Sequence, residues 1–174
     1  LFRRREALQR LIFVFALFLS ISSAAWASDA AQEAYDRADY ATAFALWQPR
    51  AAEGDPQAQT ALGSLFAYGR GVARDDDQAV SWFRKAAEQN FSPGQFALGG
   101  MYLQGRGVPS DAGQAAFWIQ KAAEQDLPIA QFYLSGMYEA GTGVSQDAEK
   151  AKYWKDKADV GFRDLLPASV LKQL

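Results

Sequence analysis

Leu62, Leu98 and Leu134 stand 36 residues apart, and many of their neighbours keep the same interval. Across positions 59–86, ten of 28 residues recur unchanged 36 and 72 positions later: Gln59, Leu62, Gly69, Gly71, Val72, Asp75, Ala79, Trp82, Lys85 and Ala86. A period in this range means one supersecondary unit stacked on copies of itself, each burying its apolar face against the next. A fold wound around one central core is excluded.

Each copy reads as two helices. Pro56, Pro93 and Pro128 fall in the first turn of a helix A, where the missing N–H costs nothing. A stripe at helical spacing follows: Leu62, Leu65 and Phe66, then Leu98, Met101 and Tyr102, then Leu134, Met137 and Tyr138. Gly69, Gly105 and Gly141 stop that helix at a left-handed position, and a second glycine with Val72, Val108 or Val144 completes a loop holding one apolar plug. Asp75, Asp111 and Asp147 open a helix B as N-caps. Gln78 and Gln114 are placed to close a capping box, which Lys150 leaves incomplete in the third copy. Ala79, Trp82 and Ala86, with their equivalents, form a face of two small residues around one large one. That face predicts tryptophans packed between helices, each indole N–H on a backbone partner.

A shorter unit precedes the three copies. Trp47, Ala51, Ala52 and Glu53 match Trp82, Ala86, Ala87 and Glu88 at an offset of 35, behind Asp39, Tyr40 and Ala43. The expected organisation is an N-terminal helix pair at 28–54, three repeats at 55–90, 91–126 and 127–161, and a closing segment at 162–174. In that last segment Pro167, Val170, Leu171 and Leu174 suggest a short helix lidding the stack.

Residues 1–27 have a different character. Arg3, Arg4 and Arg5 precede an apolar run from Leu11 to Leu19 and a stretch ending Ala25, Trp26, Ala27. This is the layout of a secretory signal peptide cleaved after Ala27. The run is about 14 Å long as a helix, too short for the ~30 Å of a membrane core. The expected product is exported to the periplasm or secreted, with no stable membrane span after cleavage.

Histidine and cysteine are both absent. Ser-His-Asp and Cys-His catalysis, disulfides and zinc sites built on nitrogen or sulfur are therefore excluded. Eighteen basic residues against twenty acidic ones give a net charge of −2, without the basic block of a nucleic-acid binder. Arg70 and Arg106 between loop glycines do not make a phosphate cradle, because these glycines end helices and no Gly-Lys-Ser/Thr follows. Asp75, Asp76 and Asp77 lack the alternating ligands of a calcium loop and read as a solvated helix cap. No metal or cofactor is expected.

The string Ala-x-x-x-Leu-Gly-x-hydrophobic-aromatic-x-x-Gly-x-Gly-Val-x-x-Asp, followed by Ala-x-x-Trp-x-x-Lys-Ala-Ala-Glu-Gln, resembles the Sel-1-like repeat family, relatives of the tetratricopeptide repeats. The resemblance covers about residues 55–160, with a weaker tetratricopeptide-like pair at 31–54. Ser135 departs from it where the other copies have glycine, as do Asp159, Val160 and Gly161 in place of Ala-Glu-Gln. The resemblance implies an all-α, right-handed α-solenoid whose A helices line a concave surface that holds a protein or peptide. It further implies a non-catalytic adaptor, with a protein partner in the cell envelope. Cysteine-rich exported relatives have been connected with β-lactam chemistry, and this chain lacks the cysteines that define them.

Packing enforces similar residues in every copy, so partner specificity is expected where the A helices disagree. These positions are Thr60, Phe96 and Phe132; Ala61, Ala97 and Tyr133; Ala67, Leu103 and Glu139; and Tyr68, Gln104 and Ala140. Phe96, Leu103, Phe132 and Tyr133 are the expected anchors and Tyr68, Gln104 and Glu139 the polar contacts, with Thr60 on the same face. Two alternatives remain at this point. One is a carbohydrate or peptidoglycan-associated accessory or enzyme using paired acids such as Glu139 and Asp111, and the other is a secreted factor that grips a host partner.

Overall fold

The computed structural model describes residues 30–164; the expected export signal and the segment 165–174 lie outside them. Among the described residues there are eight helices and no strand: α1 (30–36), α2 (Tyr40–Ala52), α3 (Pro56–Tyr68), α4 (Asp76–Glu88), α5 (Ser92–Gln104), α6 (Ala112–Glu124), α7 (Pro128–Ala140) and α8 (Ala148–Asp164). Contacts run chiefly between helices adjacent in the chain. The architecture is an all-α solenoid of helix-turn-helix repeats, with α3, α5 and α7 as the A helices and α4, α6 and α8 as the B helices.

The A helices end as their glycines require. Gly69, Gly105 and Gly141 adopt φ of 63°, 63° and 70° and return their N–H groups to carbonyls of the preceding turn. The second loop glycine is needed for proximity. A Cβ on Gly107 would lie 2.2 Å from the Asp76 carbonyl oxygen, and one on Gly143 1.9 Å from that of Ala112. Each loop therefore rests directly on the first turn of the preceding repeat's helix B.

The B helices begin differently from expectation in one respect. Asp75, Asp111 and Asp147 accept from the backbone N–H of Gln78, Gln114 and Lys150 at 2.9–3.0 Å, as N-caps do. The reciprocal half of the capping box does not form. The cap N–H groups already donate to the carbonyls of Phe66, Tyr102 and Tyr138, so Gln78 and Gln114 have nothing to close on and Lys150 forfeits nothing.

Gln59, Gln95 and Gln131 are buried, which explains why they recur. Each donates its Nε2 to a carbonyl eight residues earlier, on Ala51, Ala87 and Ala123, at 3.1–3.3 Å. These carbonyls belong to the last turn of the preceding helix, where each also accepts the N–H of the residue three positions on, Gly54, Asn90 or Asp126. Gln89 and Gln125 then donate to Gln59 and Gln95, at 2.8 and 2.7 Å, tying the end of each helix B to the helix A of its own repeat.

Two sequence expectations fail. The repeat tryptophans do pack against the cores, Trp47 buried and Trp82, Trp118 and Trp154 partly buried, but not with the expected backbone partners. Their indole N–H groups have no hydrogen bond among the described residues, and Lys85, Lys121 and Lys157 lie over their rings at 4.0, 5.8 and 5.8 Å instead. Nor is Asp76 a merely solvated cap. It receives Arg106 of the next repeat at 2.6 Å and Arg74 at 2.7 Å.

The third repeat closes differently. The stripe Val80, Phe83, Ala87 of α4 is buried with Leu98 and Met101 of α5, and Ala116, Ile119, Ala123 of α6 with Leu134 and Met137 of α7. In α8 the same register holds Lys152, Lys155 and Asp159, all exposed. The expected break at Gly161 is also displaced. α8 runs through Gly161 to Asp164, and a Cβ at that glycine would meet Pro128 Cγ at 2.6 Å, so its absence lets the longer helix cross the start of α7.

Candidate functional site

Of the A-helix positions where the copies disagree, Ala67 is buried in the core with Leu98 and Met101, and the others are partly or fully exposed. Phe132, Tyr133 and Tyr68 are exposed at 53%, 46% and 65%, and Gln104 and Glu139 are exposed too. Phe96 and Leu103 are half-buried because their inner edges pack on the core shared with α6 and α7.

Together these side chains line two adjoining hollows. The first, of about 260 Å³, is bounded by Tyr68, Phe96, Leu103, Gln104 and Tyr133, with Gly100 on its floor. The second, of about 360 Å³, is bounded by Leu103, Phe132, Tyr133 and Glu139, with Gly136 on its floor. Leu103 and Tyr133 belong to both and form the ridge between them. Phe96 meets Tyr133 edge to face at 5.2 Å, and Phe132 meets Tyr133 at 6.2 Å, so the aromatic wall is continuous across α5 and α7. Seven of the eight expected contact residues thus share one trough. Thr60 does not line it; its Oγ1 donates to the Pro56 carbonyl at 2.8 Å within its own helix.

Lys155 and Ser135 continue the trough into a third hollow of about 590 Å³ between α7 and α8, together with Glu139, Gln146 and Lys152. Glu139 was an expected contact, but neither Ser135 nor Lys155 was. The signal lies in helix B. Where Gly63 faces Phe83 and Gly99 faces Ile119, with a Cβ on either glycine only 2.6 Å from that side chain, the third copy has Ser135 and Lys155. The apolar plug and its glycine change together.

Arg106 marks the rim of the first hollow and is fully engaged, with the Asp76 carboxylate at 2.6 Å and the Ala67 carbonyl at 2.5 Å. Hydrogen bonds from Arg106 and then Arg74 hold the Asp76 carboxyl well below the usual carboxylate range. Asp111 does not join Glu139. It caps α6 and lines none of the three hollows, so the paired-acid arrangement considered above is not assembled.

A stack of helix-turn-helix repeats is the architecture of the α-solenoid repeat proteins. Three consecutive matches to the Sel1 repeat, at residues 56–91, 92–127 and 128–158, cover more than half of the chain, and the chain belongs to that family. Sel1 repeats generally mediate protein–protein interaction. A crystal structure of a Sel1 repeat protein from Oxalobacter formigenes is similar at 30% identity and a TM-score of 0.73, over 78% of this chain and 54% of that one. A second solved structure, c5321, described as a protective antigen present in uropathogenic Escherichia coli strains displaying an SLR fold, is 30% identical at a TM-score of 0.49, over 70% of this chain and 34% of that one. An uncharacterized protein of Neisseria meningitidis serogroup B is 40% identical over 55 residues, 32% of this chain and 12% of that protein. The chain thus spans about half the length of the Oxalobacter protein and about an eighth of the Neisseria one. Among the described residues no helix is long and apolar enough to cross a membrane.

Proposed function

We propose that this protein is a non-catalytic adaptor in the periplasm or cell envelope, which holds a segment of a protein partner in the concave trough of α3, α5 and α7. The carrying observation is the convergence of Tyr68, Phe96, Leu103, Gln104, Phe132, Tyr133 and Glu139 on one continuous surface. These are A-helix positions where the copies disagree, so the packing common to all three repeats does not dictate them. Large, partly exposed aromatics around small hollows are what a few-anchor interface uses. The envelope location is supported by the signal-peptide layout of residues 1–27.

The test is in-cell photocrosslinking. A photoreactive residue at Gln104, on the trough, is compared with one at Gln120, on helix α6 and outside all three hollows. A discrete protein adduct from position 104, absent from 120 and lost in Phe132→Ser with Tyr133→Ser, supports the reading. Phe132 and Tyr133 are better targets than Phe96, whose inner edge supports the core. Equal adducts from both positions would remove the trough as the binding surface, and recovery in the cytoplasmic fraction would remove the envelope location.

A further inference from the structure

Two glycines in the middle of A helices have no internal reason to be there. A Cβ on Gly63 would strike Phe83, on Gly94 Ala86, and on Gly99 Ile119, each at 2.6 Å. A Cβ on Gly100 or Gly136 would meet nothing within 4 Å. Glycine weakens a helix interior, and its usual compensation is close approach of another backbone or a ligand. Gly100 and Gly136 are one repeat apart and form the floors of the two aromatic hollows.

The trough is also asymmetric in charge. Its first hollow has one cation at the rim, Arg106, already paired with Asp76. At the other end Lys155 replaces the buried Phe83 and Ile119 of the earlier copies. It lines both the second and third hollows and has no carboxylate within salt-bridge distance among the described residues. Lys152 lies beside it but is already paired with Asp156, and Glu139 is the one acid lining both hollows, so Lys155 is the lysine at this end left without a salt-bridge partner among the described residues. A cation where packing calls for an apolar plug favours an anionic occupant.

Resting on the adaptor reading above, we propose that the trough takes an extended peptide segment with a bulky apolar side chain seated over Gly100 and a carboxylate beyond Gly136, at Lys155. Neighbouring helix axes lie ~8–10 Å apart and an extended chain advances ~3.3 Å per residue, which places the carboxylate about three residues from the apolar side chain. The carboxylate comes from an Asp or Glu side chain or from a chain terminus. Glu139, with Gln104 nearer the centre, provides the polar contacts that orient the segment.

The test uses a phage-displayed random dodecapeptide library selected on the purified chain. Selected sequences are then synthesised with free and amidated C-termini and measured by fluorescence anisotropy. The expected pool is enriched in Phe, Leu or Trp with an acidic residue or a free C-terminus about three positions away. Binding falls about tenfold or more in Lys155→Glu, as loss of a charge-assisted contact requires, and in Gly100→Leu, which fills the first hollow. Both changes fall at open positions, and unchanged helicity by circular dichroism shows that the fold is kept. Amidation abolishes binding only if the carboxylate is terminal, and Glu→Gln in the peptide abolishes it only if it is a side chain. A pool blocked by Gly100→Leu but indifferent to Lys155→Glu and to acid removal overturns this inference and leaves the adaptor reading standing. A pool indifferent to Gly100→Leu, or no enrichment at all, overturns the peptide inference, and the crosslink at Gln104 then decides the adaptor reading separately.

Discussion

Arg106 reaches back across 30 residues to the Asp76 carboxylate at 2.6 Å, clipping the loop of the second repeat onto the first turn of the preceding helix B. One repeat later the same two positions hold Thr142 and Ala112, so both halves of the clip are lost together. The loop still rests there, since Gly143 lies against the Ala112 carbonyl. Installing the pair as Ala112→Asp with Thr142→Arg is expected to raise the thermal midpoint by a few degrees, and either change alone by less. A double-mutant cycle by thermal denaturation checks this, and simple additivity would show that the second loop does not reproduce the geometry of the first.

The same carboxylate gives the protein an acid-sensitive contact. Arg106 and Arg74 lower its folded-state pKa below the ordinary value of 3.8. A lowered folded-state pKa means that ionised Asp76 favours the folded state at every pH above that ordinary value, and that this contribution disappears as the pH falls further. Asp76→Asn removes it at all pH values. Urea midpoints of the native chain and the Asn variant are therefore expected to differ at pH 7, and the gap to narrow progressively as the pH falls below the ordinary value of 3.8 toward the lowered folded-state pKa. A gap that stays constant down to pH 2 would mean that protonation does not break the clip.

Adjacent glycines on α5 are expected to respond with opposite signs. Gly100 faces open space, so Gly100→Ala removes only the helix penalty of glycine and stabilises by about 0.5–1 kcal/mol. At Gly99 the new methyl would lie 2.6 Å from Ile119 Cγ1, so Gly99→Ala forces the α5 and α6 contact apart and destabilises by about 1–3 kcal/mol. Chemical denaturation of the two single variants decides it. Destabilisation in both would mean that Gly100 is also needed for internal packing, and the argument for a close-approaching ligand would go with it.

Gln95 illustrates a polar residue retained by the stack rather than by a partner. It is 1% exposed, satisfies the Ala87 carbonyl and accepts from Gln125 at 2.7 Å. Gln95→Leu keeps the volume but removes its bonds to the Ala87 carbonyl, to Asn90 and to Gln125, and is expected to destabilise by about 1–3 kcal/mol without altering peptide binding. Equilibrium unfolding with a parallel anisotropy titration separates the two effects.

Most of the fold was legible because identity across copies reports packing directly. Leu62, Gly69, Asp75 and Ala79 each occupy one structural role three times, and comparing the disagreeing A-helix positions led to most of the trough lining, although Ala67 among them is buried and Thr60 stands apart. What escaped were relations between copies. Arg106 with Asp76 joins non-equivalent positions and is absent from the third copy, so the period could not point to it. The capping box failed because the competing carbonyls of Phe66, Tyr102 and Tyr138 come from another helix. Lys155 was readable, but only by carrying the comparison into helix B, where Phe83, Ile119 and Lys155 share one register.

That register makes the strongest demand on the third repeat. Val80, Phe83 and Ala87 recruit α5, and Ala116, Ile119 and Ala123 recruit α7, whereas Lys152, Lys155 and Asp159 offer a further A helix two cations and an anion. A polar stripe at this register leaves no apolar template for a further helix, whereas an apolar one recruits any helix that fits it. Lys152→Val, Lys155→Ile and Asp159→Ala together rebuild the apolar stripe of the earlier copies. The triple variant is expected to keep its helicity and to self-associate at micromolar concentrations, with a sedimentation coefficient that rises with concentration while that of the native chain does not. Association by the native chain to the same degree would show that the polar stripe is not what limits the stack; a monomeric triple variant would show that an apolar stripe alone does not recruit a helix.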